Sequence, residues 1–222
     1  MAVFFTLHHA PQSRSTGVVA LLHELGARDG IDYRIKLLDL KAGDSRHPDY
    51  LTINPMGKVP AIVHNGVVVT EQVAVYQYVA ELFPDAGLVP PVGDPMRGPF
   101  LRWLAFYGSS FEPALVDRAQ QRSPAPPAMC PYGDFETMYD AFVRRIATGP
   151  WIAGARFTAA DVLWGTALAW TMQFGLVPRL PALTEYIAKV AARPAQIAAR
   201  EHEAQLLAEI EARRVLKAAA KG

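Results

Sequence analysis

The chain has 222 residues, 51% hydrophobic and 19% charged, which allows a sizeable core and argues against disorder. With 22 basic against 21 acidic residues the net charge is +1, so there is no basic field to neutralise phosphates, and nucleic acid is not an expected partner. The single cysteine, Cys130, excludes an internal disulfide or a cysteine-based metal cluster and suits a reducing compartment. The first residues lack a signal-peptide pattern, and no run of about 18 apolar residues occurs, so the expectation is a cytoplasmic protein with no membrane span.

Residues 3–7 are apolar, aromatic and β-branched, as in a buried strand. The segment 8–13 contains Pro11 and reads as a loop. Ser15 and Thr16 are candidate N-caps for a helix whose apolar face is Val18, Leu21, Leu22 and Leu25, with Gly26 placed to stop it. Residues 33–37 alternate like a half-buried strand, completing a βαβ unit with parallel strands. Residues 41–54 read as a loop with an irregular helix. Residues 61–64 and 67–69 flank Asn65-Gly66, the strongest short hairpin signal, because both turn positions need positive φ. A helix follows over 71–83, with Val75, Tyr78, Val79 and Leu82 on one face, and Pro84 ends it.

Prolines and glycines crowd the next stretch, so 85–95 is the expected linker between a domain over 1–84 and one over 96–222. The second domain is all helical in pattern. Its helices are expected over 100–118, with a bend near Pro113, then 134–147, 158–173, 182–192 and 195–218, with a loop over 123–133.

Three short segments stand out, two as candidate binding elements and one as structural. In Asn54-Pro55-Met56-Gly57-Lys58-Val59-Pro60, Pro60 opens a strand. It is either an ordinary trans proline or a cis one that turns the Val59 backbone outward to pair with a peptide-like ligand. Thr70-Glu71-Gln72 opens a helix, whose unpaired N–H groups suit a carboxylate while Glu71 suits an amine; equally, Thr70 serves as N-cap and Glu71 complements the dipole. Phe157-Thr158-Ala159-Ala160-Asp161 fits a capping box and is read as structural.

Four segments, HAPQSRSTGVVALLHELG, NPMGKVPAIVHNG, TEQVAVYQYV and WIAGARFTAADVLWG, stand in an order and spacing that resembles the soluble glutathione transferases over nearly the whole chain. The resemblance implies an α/β thioredoxin-like N-terminal domain (βαβ-α-ββα, a mixed four-stranded sheet) followed by an all-α helical bundle. It implies a cis Pro60, a Val59 backbone paired with the cysteinyl part of glutathione, and Glu71 and Gln72 holding the γ-glutamyl end. Many members carry a small hydroxyl residue where this chain has Gln72, whose amide can still donate. Lys41, His47 and Lys58 are candidates for the glycyl carboxylate.

The implied reaction is attack of the glutathione thiolate on a small hydrophobic electrophile, with glutathione as co-substrate, no metal, and a twofold homodimer. The family activates the thiol with Tyr, Ser or Cys. No tyrosine precedes Tyr33 and Cys130 lies far from the loop, which leaves Ser13 and Ser15. The resemblance of Pro11-Gln12-Ser13 to the loop of serine-type members favours Ser13, and Ser15 has N-capping as its other reading. Arg14 can add positive charge near the sulfur, and His9 can line the site. Phe106, Tyr107 and Phe111 are expected to face the acceptor substrate. The other readings are a glutathione-dependent isomerase, dehalogenase or peroxidase, and a non-catalytic binding or regulatory protein on the same fold. Gln72 favours the last, and the two serines favour an enzyme.

Overall fold

A computed structural model describes residues 4–123 and 125–220. The chain divides into two compact units, Met1–Ala86 with Pro194–Gly222, and Gly87–Arg193. The first contains β1 (Phe5–His9), α1 (Thr16–Glu24), β2 (Tyr33–Leu37), a 3-10 turn at Asp44–Arg46, α2 (Pro48–Leu51), β3 (Ala61–His64), β4 (Val67–Val69) and α3 (Gln72–Glu81). The sheet order is β2-β1-β3-β4. β1 runs parallel to β2 and antiparallel to β3, which forms the hairpin with β4. Asn65 and Gly66 have φ of 52° and 79°, as a two-residue hairpin turn requires.

β1 extends past the expected Leu7, because His8 and His9 pair in register with Lys36 and Leu37. Val3, the expected first strand residue, and Pro124, in the expected 123–133 loop, lie outside the described residues. α1 stops where Gly26 takes φ 68°. There Gly26 N–H bonds His23 O at 3.1 Å and Ala27 N–H bonds Leu22 O at 3.0 Å, the paired closure of a Schellman motif. The first core gathers Phe5, Leu7, Val18, Leu21, Leu22, Ile62, Val75 and Val79, all buried.

The second unit holds α4 (Arg97–Phe106), a π-helical segment (Tyr107–Phe111), α5 (Glu112–Ala119), α6 (Phe135–Thr148), α7 (Ala159–Gln173) and α8 (Pro181–Ala191). One continuous helix with a bend near Pro113 was the expectation; the irregularity lies just upstream of that residue. Pro113 has no N–H for the Ser109 carbonyl, so the preceding ladder shifts to the wider π spacing. Trp164 centres the core. Its ring stacks on Phe142 at 4.4 Å and meets Phe111 at 4.8 Å, and its Nε1–H donates to Trp103 O at 3.1 Å. Each such aromatic removes about 150–250 Å² from water, worth roughly 4–6 kcal/mol before the entropy of ordering it. α7 and α8 approach closely at Gly165, where a Cβ would lie 2.6 Å from Val190 Cγ1.

The capping box of α7 is present. Asp161 is fully buried. It accepts from Ile152 N–H (2.7 Å), Thr158 N–H (2.8 Å), Thr158 hydroxyl (2.9 Å) and Tyr186 hydroxyl (2.8 Å). Burial pushes its carboxyl above the usual range, against the hydrogen bonds that favour the anion.

The last helix, α9 (Pro194–Ala219), belongs to the first unit rather than to the helical bundle into which sequence pattern groups it. Leu206 and Ile210 form one buried cluster with Leu37 and half-buried Ile35 on β2. Arg214 grips Asp39 through two bonds of 2.6 and 2.5 Å, which helps hold the Asp39 carboxyl down to about 2.

Candidate active site

Ser15 occupies the N-cap position of α1 without capping it. Its hydroxyl turns inward to His9 Nδ1 (2.8 Å) and Ser13 Oγ (2.8 Å) and accepts from Ala10 N–H (3.1 Å). Ser13 Oγ donates to Ala10 O at 2.7 Å and accepts from Ser15 N–H at 3.1 Å. Ser13 is half-buried, whereas Ser15 has no exposed surface. Of the two candidate hydroxyls, only Ser13 can therefore touch a bound molecule, which corrects the reading of Ser15 as a direct donor. His9 is equally buried and cannot line a site, a second correction: as the last residue of β1 it points into the unit. Its Nε2 stands 3.1 Å from Glu203 Oε1 on α9, while Glu203 Oε2 accepts from Thr16 Oγ1 at 3.1 Å.

The start of α3 meets this loop. Gln72 Nε2 donates to the Arg14 carbonyl at 3.1 Å, and Gln72 Oε1 is a buried acceptor with no protein partner. The N-cap of α3 is Glu71, not Thr70, and its side chain does not cap. Glu71 is exposed and adopts φ 63°, ψ 120°, a strained backbone for a residue with a Cβ and of the kind that gathers at ligand sites.

The Val59–Pro60 bond is cis. The loop before it is fixed by two donors on the Lys58 carbonyl, Tyr50 hydroxyl at 2.5 Å and Asn54 Nδ2 at 2.9 Å. Burial pushes the Tyr50 hydroxyl up to about 12, so it stays a donor. Gly57 has φ 63°, and a Cβ there would fall 2.7 Å from the Ser45 carbonyl. Val59 is half-buried, and Lys58 is exposed. Lys41 is also exposed and shares a crevice with Gln12, Asp39 and Arg214. The His47 ring accepts from Asp49 N–H at 3.3 Å as the N-cap of α2.

The aromatic candidates fare differently. Phe111 has no exposed surface and Tyr107 is 4% exposed, both packed on Trp164. They are core of the helical unit and cannot present a face to a substrate. Phe106 is half-buried. Among the described residues, no three His, Cys, Asp or Glu side chains are placed to hold a metal ion, and no helix is long and apolar enough to cross a membrane.

Sequence reasoning missed Glu203 and the hold of Tyr50 and Asn54 on the Lys58 carbonyl. Glu203 lies 187 residues from Thr16 and reads as one more charge on a solvated helix. The tyrosine–asparagine pair sits in a segment without periodicity.

Comparison with known proteins agrees with this geometry. Residues 3–81 match the family "Glutathione S-transferase, N-terminal domain" and residues 134–194 match "Glutathione S-transferase, C-terminal domain". Glutathione S-transferase GstA of Escherichia coli O157:H7 is 28% identical over 182 residues, 80% of this chain and 90% of that protein. A glutathione transferase structure from Methylococcus capsulatus is 30% identical with a TM-score of 0.73, covering 90% of this chain and 99% of that one. A sphingomonad glutathione S-transferase complexed with glutathione is also 30% identical, with a TM-score of 0.72 and coverage of 90% and 98%. This chain belongs to the glutathione S-transferase family.

Proposed function

We propose that the chain is a serine-type glutathione transferase that joins the glutathione thiolate to a small hydrophobic electrophile, with Ser13 as the residue that holds the thiolate. The observation that carries the reading is the meeting of the α1 and α3 starts through Gln72 and the Arg14 carbonyl, with the half-buried residue Ser13 in the same loop. Glutathione has an ammonium and a carboxylate at its γ-glutamyl end. Glu71 takes the ammonium, and the first N–H groups of α3 take the carboxylate. The Val59 backbone pairs with the cysteinyl amide. Lys58 and Lys41 are the cations offered to the glycyl carboxylate, with Arg14 adding positive charge.

A free thiol titrates near 8.5, and lowering that by two units needs about 2.7 kcal/mol. One hydroxyl donor to the thiolate supplies about 1.5–3 kcal/mol, and the N-terminus of α1 adds about 0.3–1 kcal/mol. Ser13 is therefore sufficient. Phe106 is the aromatic retained for the acceptor side. The working form is a twofold homodimer in the cytoplasm.

The test is calorimetric titration with reduced glutathione, followed by a pH titration of thiolate absorbance in the complex. Ser13→Ala is expected to raise the bound thiol's pKa by at least about one unit, a tenfold loss of thiolate. A folded protein that does not bind glutathione, or a Ser13→Ala variant with an unchanged thiol, overturns the reading.

A further inference from the structure

A chain of polar side chains runs inward from Ser13 and ends on a carboxylate. Ser13 Oγ lies 2.8 Å from Ser15 Oγ, and Ser15 Oγ lies 2.8 Å from His9 Nδ1. His9 Nε2 lies 3.1 Å from Glu203 Oε1. Ser15 and His9 are fully buried, and the Glu203 side chain is 13% exposed. Ser15 and His9 have no surface to offer glutathione, and the role of Ser13 above leaves all three unused. Burying an imidazole against a carboxylate is costly unless the pair has work or partners. Here His9 Nε2 and Glu203 Oε1 have only each other, at ion-pair distance but without an aligned hydrogen bond.

We propose that His9 is the resident acceptor of the glutathione thiol proton, reached through Ser13 and Ser15 and charge-balanced by Glu203. The inference rests on the assignment of Ser13 as the residue against the sulfur. A neutral imidazole has one N–H and one lone pair. A carboxylate facing Nε2 selects the Nε2–H form, which leaves the Nδ1 lone pair toward Ser15. The thiol S–H bond breaks as its proton passes to Ser13 Oγ. The Ser13 proton passes to Ser15 Oγ, and the Ser15 proton to His9 Nδ1. Both serines end as neutral hydroxyls, the sulfur carries the negative charge, and the imidazolium carries the positive one. The new Ser13 O–H bond then points at the thiolate as its donor. Before glutathione arrives, the Ser13 hydroxyl rests on the Ala10 carbonyl at 2.7 Å and Ser15 Oγ lies 3.2 Å from the same oxygen; the sulfur replaces that acceptor for Ser13.

The placement of Glu203 supports the assignment. Thr16 Oγ1 donates to its second oxygen at 3.1 Å, so the carboxylate is held at the start of α1 and its first oxygen is kept on the ring. Glu203 is the charged group described against His9; the α1 side supplies hydroxyls. The nearby histidines His23 and His202 face each other at 3.2 Å. An imidazolium in an interior needs a compensating charge beside it, and Glu203 is the carboxylate at Nε2 of His9.

The test counts protons. Reduced glutathione is titrated into the full-length protein, about one pH unit below the free thiol value of 8.5, in two buffers of different ionisation enthalpy, with thiolate absorbance read in parallel. The expected result is thiolate formation with well under one proton released per glutathione. Thiolate formation with one proton released overturns the proposal, because the proton has then gone to solvent. Glu203→Gln and His9→Gln are each expected to raise the bound thiol's pKa by about one unit or more, while the affinity for S-methylglutathione, which has no thiol, stays within about twofold, under about 0.4 kcal/mol. Should His9→Gln fail to fold by circular dichroism, Glu203→Gln carries the test. A Ser13→Ala effect with no effect of either inner variant sinks the relay and leaves the Ser13 assignment standing. No thiolate in the unaltered protein sinks both.

Discussion

Removing the carboxylate of Asp161 is expected to unfold the helical unit at markedly lower denaturant. The side chain is fully buried and accepts from three residues, Ile152, Thr158 and Tyr186, at 2.7–2.9 Å. Asp161→Ala leaves the Ile152 N–H, the Thr158 N–H and the Tyr186 hydroxyl without their acceptor. At about 1–3 kcal/mol for each buried unsatisfied group, the expected loss is about 3–6 kcal/mol after relaxation, comparable with the whole stability of a small domain. Asp161→Asn keeps one oxygen, and the Thr158 hydroxyl can rotate to accept from the new amide, so one backbone N–H is orphaned and the loss is about 1–3 kcal/mol. All four tryptophans, Trp103, Trp151, Trp164 and Trp170, lie in the Gly87–Arg193 unit, so their fluorescence in a urea titration reports that unit selectively. The order wild type, Asn, Ala is expected in the midpoints. A midpoint for Asp161→Ala within about 0.5 kcal/mol of wild type, the range of an ordinary surface change, would refute the argument that this network holds α7 in place.

Gly165→Ala places a Cβ about 2.6 Å from Val190 Cγ1 and should cost about 1–3 kcal/mol by overpacking; the same urea titration checks it, and a Gly165→Ala/Val190→Ala pair should recover most of the loss. His8 is held down to about 4 from 6.5 by burial, then by Lys36 and Arg34. The unfolded chain therefore binds this proton first as pH falls. The contribution is complete above pH 6.5 and is lost down through about 4, worth about 3 kcal/mol; His8→Gln should flatten the pH dependence of Tm in that window. Asp39, held down to about 2 from 3.8 with Arg214 as the first cause, contributes above 3.8 and loses that contribution as pH falls through about 2. Arg214→Gln should narrow this more acid window and leave the His8 window in place, read from Tm across a pH series.

Much of the first unit was legible because its signals are local. Asn65-Gly66 has one economical use between two β-forming runs, and Gly26 stops α1 by a backbone conformation that other residues avoid. The capping box at Thr158 and Asp161 is likewise written in four consecutive residues. What escaped depends on tertiary partners. Ser15 looks like an N-cap in sequence, yet its hydroxyl finds His9 instead, and nothing local favours one partner over the other. Phe106, Tyr107 and Phe111 share helical spacing with any core stripe, so which of them is covered is decided by Trp164, more than fifty positions away. Glu203 carries no local mark, and its meaning comes from packing alone.

The assignment of α9 to the first unit has a consequence for how the protein comes off the ribosome. Its strands and first helices are made early, but their remaining packing partner, residues Pro194–Ala219, is made only after the whole helical unit. At about 5–20 residues per second, the early sheet waits on the order of ten seconds with its Leu37 face uncovered and His9 without its carboxylate. The helical unit between them has every one of its own elements in hand before then and can fold while the nascent chain is still attached. A nascent or truncated chain ending near Arg193 would thus carry a finished bundle together with an exposed, aggregation-prone sheet that lacks the helix completing its unit.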